Sequence, residues 1–158
     1  MAFFGFYEPE FNPTGLSGEV GGSFTSTVLK PKLGELVSPM ESSVDSEVTQ
    51  YRKLFIRQDE EATFQDLSVI LSNVEHTGQV SFAISTGQME EQATDAITAP
   101  DGIPSDNFSG DHVTAITLTG TSVQDDIYGI WLRVVLPTGA GIDELATFGV
   151  RVKGTRLN

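Results

Sequence analysis

The side chains able to do chemistry are few in this chain, and their spacing keeps them apart. His76 and His112 stand 36 positions from one another. A zinc site needs three or four converging ligands, and neither histidine has partners at such a spacing, so both read as ordinary turn or strand residues. Asp101 and the Asp125-Asp126 pair offer the oxygen ligands that a hard cation takes. The Asp-x-Asp-x-Asp-Gly pattern of a calcium loop is absent, and these read as solvated loop carboxylates. Serines are numerous, yet no Gly-x-Ser-x-Gly elbow sets one beside a base. Gly18-Glu19-Val20-Gly21-Gly22 lacks the lysine and the strand-loop-helix setting of a phosphate loop. Paired carboxylates for glycoside cleavage depend on tertiary geometry, and nothing in the sequence singles out a pair. The expectation is a chain with no catalytic residue, no cofactor and no metal: a supplier of surfaces, not an enzyme.

Surfaces need a body to carry them. The 158 residues suffice for one domain with a hydrophobic core of its own. Cysteine is absent, which excludes disulfides and thiolate metal sites. No apolar run approaches the roughly 18 residues of a membrane helix. The aromatic start, MAFFGFYEPEF, carries Glu8 and Glu10 and lacks the basic region of a signal peptide. The net charge of −13 is unevenly placed. All nine bases lie within Lys30 to Arg57 or Arg133 to Arg156, whereas Gln58 to Leu132 holds 13 acids and no Lys or Arg. A surface of that sign repels phosphates. Neither nucleic acid nor membrane is an expected partner.

From Tyr51 onward the pattern is β. Tyr51 to Arg57 sets Leu54 and Ile56 on one face, Tyr51 and Phe55 on the other. Phe64 to Val74 alternates through Leu67, Val69 and Leu71, and Gln79 to Thr86 through Val80, Phe82 and Ile84. Gly87 to Gly110 is long, acidic and interrupted by Pro100, Gly102 and Pro104, with room for a helical turn over Gln88 to Thr94. His112 to Thr119 forms the next strand. Gln124 to Leu136 follows; it holds the lone tryptophan, Trp131, and its β-branched content favours a core strand over a helix. Leu145 to Lys153 comes last, with Phe148, Val150 and Val152 inward and Arg151 and Lys153 outward. Strands at this spacing, divided by turn signals, predict an all-β fold: an antiparallel two-sheet β-sandwich of immunoglobulin-like or jelly-roll type.

Residues 1–47 differ in composition from the 48–158 body and read as an extended N-terminal arm. Phe3, Phe4, Phe6, Tyr7 and Phe11 are followed by Pro13, Gly15, Leu16, Gly18, the Gly21-Gly22 pair and Phe24. Aromatics in a segment without a core of its own must be buried against something. Two placements are open: packing on the chain's own sandwich, or lying across neighbouring subunits.

Four segments in order resemble small structural proteins of tailed-bacteriophage virions. They are Gly21-Gly22 with the following SFTST, the Val48 to Ile56 strand VTQYRKLFI, the Gly129 to Arg133 strand GIWLR, and Phe148 to Thr155, FGVRVKGT. In those proteins a Gly-Gly segment precedes a T-x-Y-R-K-L-F-I strand, an acidic Pro-bearing loop, a G-I-W-L-R strand and a closing F-x-V-R-V-x-G-T. The chain departs at Gln58-Asp59, where a Lys-Asn or similar pair is usual. The resemblance implies a non-enzymatic virion component. A small sandwich with an aromatic arm suits a capsid decoration or cement protein on the head exterior, partnered by the major capsid protein and by copies of itself, a trimer being one form. Phe3, Phe4, Phe6, Tyr7, Phe11, Leu16 and Phe24 would then contact neighbours, and Arg52, Lys53, Arg151, Lys153 and Arg156 would face the shell. The alternatives are a neck, collar, tail or baseplate protein, or a carbohydrate- or receptor-binding sandwich on an appendage, which would display an exposed Trp or Tyr beside Asp and Asn.

Overall fold

The computed structural model describes residues 3–11, 18–29, 47–76, 81–87, 89–95, 97–110, 115–137 and 146–157. Among them are nine strands, one 3-10 turn at Ser105–Asn107 and no α-helix. Strands β1 (Phe4–Phe11), β2 (Val20–Val28), β3 (Val48–Gln58), β5 (Ser81–Gly87), β6 (Gln92–Ala93) and β8 (Ile127–Leu136) form one sheet, ordered β5-β8-β3-β1-β2-β6. Strands β4 (Thr63–His76), β7 (Ile116–Ser122) and β9 (Ala146–Leu157) form a second, ordered β7-β4-β9. All pairings are antiparallel. The chain is the all-β two-sheet sandwich that its alternation predicts.

The helical turn expected over Gln88 to Thr94 is replaced by β6. The Gly22 amide donates to the Glu91 carbonyl at 3.0 Å, an interstrand bond that a helical turn there would forgo.

Alternation along each strand sorts side chains onto two faces of the large sheet. Leu54 and Ile56 of β3, Phe82 and Ile84 of β5, and Ile130, Leu132, Val134 and Leu136 of β8 meet Val69 and Leu71 of β4. Ile116 and Leu118 of β7, and Val150 and Val152 of β9, complete that intersheet core. Burying each such side chain contributes about 1.5–3 kcal/mol. One polar pair joins the sheets at their rim. Ser122 of β7 donates to Oε1 of the buried Gln58 at 2.7 Å, and Gln58 Nε2 donates to the carbonyls of Glu60 and Ala62. Gln58, where the sequence departs from the phage pattern, thus anchors the β3–β4 turn.

The large sheet is curled. A flat sheet would set β2, three strands from β8, roughly 14 Å away from it. Instead a Cβ placed on Gly21 would stand 2.7 Å from Cη2 of Trp131. Chain length requires this too. β5 and β6 are opposite edges of the sheet, yet only residues 88–91 join them. Five residue steps span at most ~18 Å, against roughly 24 Å for five flat interstrand spacings. Positive φ at Gly21 (96°) and Gly22 (82°) gives β2 the irregular backbone that lets it fold over the indole.

Candidate functional site

The inner side of the curl is a second core, built around a charge. Trp131 is fully buried with Val20 and Ala93, and Tyr51, Ile103 and Phe108 pack at its margin. Trp131 therefore anchors a core, though on the face turned away from the intersheet one. Lys53 lies in the same layer with 0% exposure. Its Nζ donates to the carbonyls of Gly22 and Glu91, both at 3.0 Å, and stands 3.3 Å from the Glu91 carboxylate. The same carboxylate accepts the Trp131 indole N–H at 3.0 Å. The ammonium also lies 4.9 Å from the Phe55 ring centroid and 5.6 Å from that of Trp131. Burial pulls the Lys53 pKa below its usual range, and the Glu91 charge acts against that shift. Glu91 thus ties the acidic cover of residues 89–110 to the sheet.

Of the two placements open for the leading segment, the described strands take the intramolecular one. β1 lies between β3 and β2. Phe4 and Phe6 pack on the intersheet core. Phe3 and Phe4 meet Phe64 at centroid distances of 5.5 and 5.1 Å. Tyr7, Phe24 and Phe55 form an edge-to-face series on the other face, and Phe11 pairs with Gly21. Tyr7 donates to Asp59, and Arg57 donates to both Asp59 and the Tyr7 oxygen. Phe3, Phe4, Phe6, Tyr7, Phe11 and Phe24 are therefore parts of the body, and an arm over 1–47 distinct from it is corrected at these strands. Leu16 lies outside the described residues.

The five expected shell-facing bases divide. Arg52 and Lys53 are 1% and 0% exposed, so neither can face a shell. Arg52 alternates in phase with Leu54 and Ile56 and enters the core side, where burial lowers its pKa. Arg151, Lys153 and Arg156 are exposed on β9, an edge strand. Arg156 stacks over Phe3 at 5.1 Å. Arg151 and Lys153 alternate with the core residues Val150 and Val152, so they stand on the outer face of the small sheet. Exposed Asp101 and Asp106 flank Ile103 and Phe108, which pack beside Trp131 on the far side of the large sheet, whereas exposed Glu90 lines a groove shared with Thr117 and Leu118 of the small sheet. Asp101 and Asp106 thus lie across both sheets from Arg151 and Lys153.

No family model matches the chain, nor does any curated protein or any solved structure. Among the described residues no three His, Cys, Asp or Glu side chains stand together as a metal site would require. His112 and the side chain of His76 lie outside the described structure.

Glu91 is the key residue that sequence reasoning passed over. One acid among several in an aperiodic loop carries no mark of its partner. The one available signal was Lys53, which shares its alternation with the apolar residues Tyr51 and Phe55 and so needed a buried counter-charge.

Proposed function

We propose that the chain is a structural protein of a tailed-bacteriophage virion, a decoration or cement protein that sits on the capsid exterior as a homo-oligomer and bridges neighbouring capsomers. The observation that carries this reading is the separation of charge across a braced body. Arg151 and Lys153 lie on one outer face, and Asp101 and Asp106, beside Ile103 and Phe108, on the opposite one. Such a body binds an acidic or polar shell surface through its small sheet and turns like-charged carboxylates to solvent, which disfavours further stacking.

The segments resembling phage proteins support the same reading through the jobs they do. Gly21 and Gly22, Lys53 and Trp131 come from three of them and meet around Glu91. Val150 and Val152 of the fourth enter the intersheet core. Shared residues of this kind hold a scaffold together and leave the partner contacts to exposed positions. The bridging contacts then fall to β9 and the small sheet, since the aromatic side chains of β1 are used within the body. Trp131, the residue a glycan platform would have displayed, is buried.

Sedimentation tests the reading. Purified chain is mixed with emptied phage heads stripped of exterior proteins, then pelleted. Saturable co-pelleting that falls sharply for the Arg151→Glu, Lys153→Glu double variant is the expected result. Chain left in the supernatant at saturating concentration would refute it.

A further inference from the structure

A cavity of about 600 Å³ borders the intersheet core and is apolar on that side. Leu118 of β7 and Tyr128 of β8 line it there, both packed, partly buried, against the cluster that holds Ile56, Ile84 and Ile130. Thr86 follows Phe82 and Ile84 on the same face of β5 and stands opposite Ile130. The other side is acidic, because Glu90 and Glu91 reach it from the segment after β5. Gly87, opposite Gly129, lies between the two sides. A Cβ on Gly87 would strike the Glu91 carboxylate and stand 2.7 Å from Cδ1 of Trp131, so the bare position lets Glu91 lie against the sheet.

The described walls hold no Lys, Arg or His. Two bases lie behind them, and both are engaged. Lys53 is fully enclosed and meets Glu91. Arg57, opposite Ile127 in the β3–β8 ladder, donates to Asp59 and to the Tyr7 oxygen. Glu90 is exposed at the rim and forms no ion pair among the described residues. Asp126, hydrogen-bonded to the Tyr128 hydroxyl, adds a second negative charge beside the apolar side. The face of the Tyr128 ring also attracts a cation. Among the described residues no three carboxylates gather as a metal ion would require. The volume falls within the range of sites that enclose a small molecule.

We propose that this cavity binds a small organic cation, with a primary ammonium beside Glu90 and an apolar body seated against Leu118 and Tyr128. Sign of charge decides the class: an anionic ligand would meet Glu90 and Asp126 with no free base to offset them. The apolar side decides the rest, since an ammonium without a hydrophobic body leaves Leu118 and Tyr128 uncovered. The site stands whether or not the chain belongs to a virion, because its walls are built within one copy of the body.

The probe is 4-phenylbutylamine, titrated into the full chain and followed by amide chemical shifts. Its alcohol and carboxylate analogues keep the ring and change only the charge, and N-acetyl-lysine amide keeps the ammonium without the ring. Saturable binding in the millimolar range is expected for the amine, with shifts centred on Thr86, Gly87, Leu118 and Tyr128. The alcohol should bind about three- to fivefold more weakly, as loss of one exposed charge pair predicts. The carboxylate and the lysine amide should be weaker still. Glu90→Gln should bring the amine down to the affinity of the alcohol and leave the alcohol unchanged. An unchanged Trp131 emission spectrum checks that the variant is folded. No saturable binding, equal affinity for amine and alcohol, a lysine amide as tight as the amine, indifference to Glu90→Gln, or shifts centred elsewhere would each overturn the proposal.

Discussion

The indole N–H of Trp131 donates to Oε1 of Glu91, 40 residues away in sequence, at 3.0 Å. That carboxylate is also the counter-charge of a lysine with no exposure to solvent. One side chain thereby fixes the acidic cover, the curl of the large sheet and the ionisation of Lys53 together.

Removing it should be costly. Glu91→Ala leaves a buried ammonium without its carboxylate, and loss of one member of such a pair costs about 3–5 kcal/mol. Urea unfolding, followed by the emission of the lone tryptophan, measures the loss. Lys53→Met with Glu91→Gln removes both charges, and the double variant should be more stable than the sum of the single changes by about 1–3 kcal/mol. Strict additivity would show that the two groups do not act as a pair.

Gly21→Ala tests the curl directly. The residue sits at φ 96°, and a Cβ there would come within 2.8 Å of the Glu91 carbonyl and closer still to the indole. Strain and overpacking together predict a loss of about 3 kcal/mol and a red-shifted Trp131 emission. A near-neutral substitution would mean that β2 does not close over the ring.

Ser122→Ala probes the seam between the sheets. It removes the hydroxyl that donates to Gln58 at 2.7 Å and leaves a buried amide oxygen unsatisfied. The expected cost is about 1–3 kcal/mol. Gln58→Leu with Ser122→Ala should recover part of the loss if burial of unpaired polar atoms is its cause.

Alkaline pH acts through two kinds of group with opposite sign. Burial raises the phenol pKa values of Tyr7 and Tyr128 above 10.0, and at Tyr7 the hydrogen bond to Asp59 adds to the shift. Their contribution to stability is complete below pH 10.0 and is lost as pH rises through the folded-state values. Lys53 has a lowered pKa, so its burial penalty is relieved as pH rises from the folded-state value toward 10.5. Urea midpoints taken from about pH 9 to about pH 11 should fall less steeply in Tyr128→Phe, and more steeply in the Lys53→Met, Glu91→Gln variant.

Much of the body was legible from alternation alone. Leu54, Ile56, Leu67, Val69, Leu71, Phe82 and Ile84 are buried as their period predicts. Arg151 and Lys153 stand outward as expected. Alternation also placed Arg52 in phase with Leu54 and Ile56, but its residue type suggested a surface base, and position prevailed over type. The role of β1 was not legible, because Pro9 and Gly5 inside FGFYEPEF disguise a strand. Its register is irregular on the β2 side and regular on the β3 side, which no local pattern reports. The Lys53–Glu91 pair was hidden for a related reason: its members are 38 residues apart and meet only because the sheet curls.

A reconstruction of a tailed-phage particle containing this protein tests the proposed role most directly. The account predicts density for this body on the outer surface of the head, with the β9 face bearing Arg151 and Lys153 against the shell and the 89–110 cover toward solvent. Finding the 89–110 cover pressed to the shell, or the protein missing from the head, would contradict it.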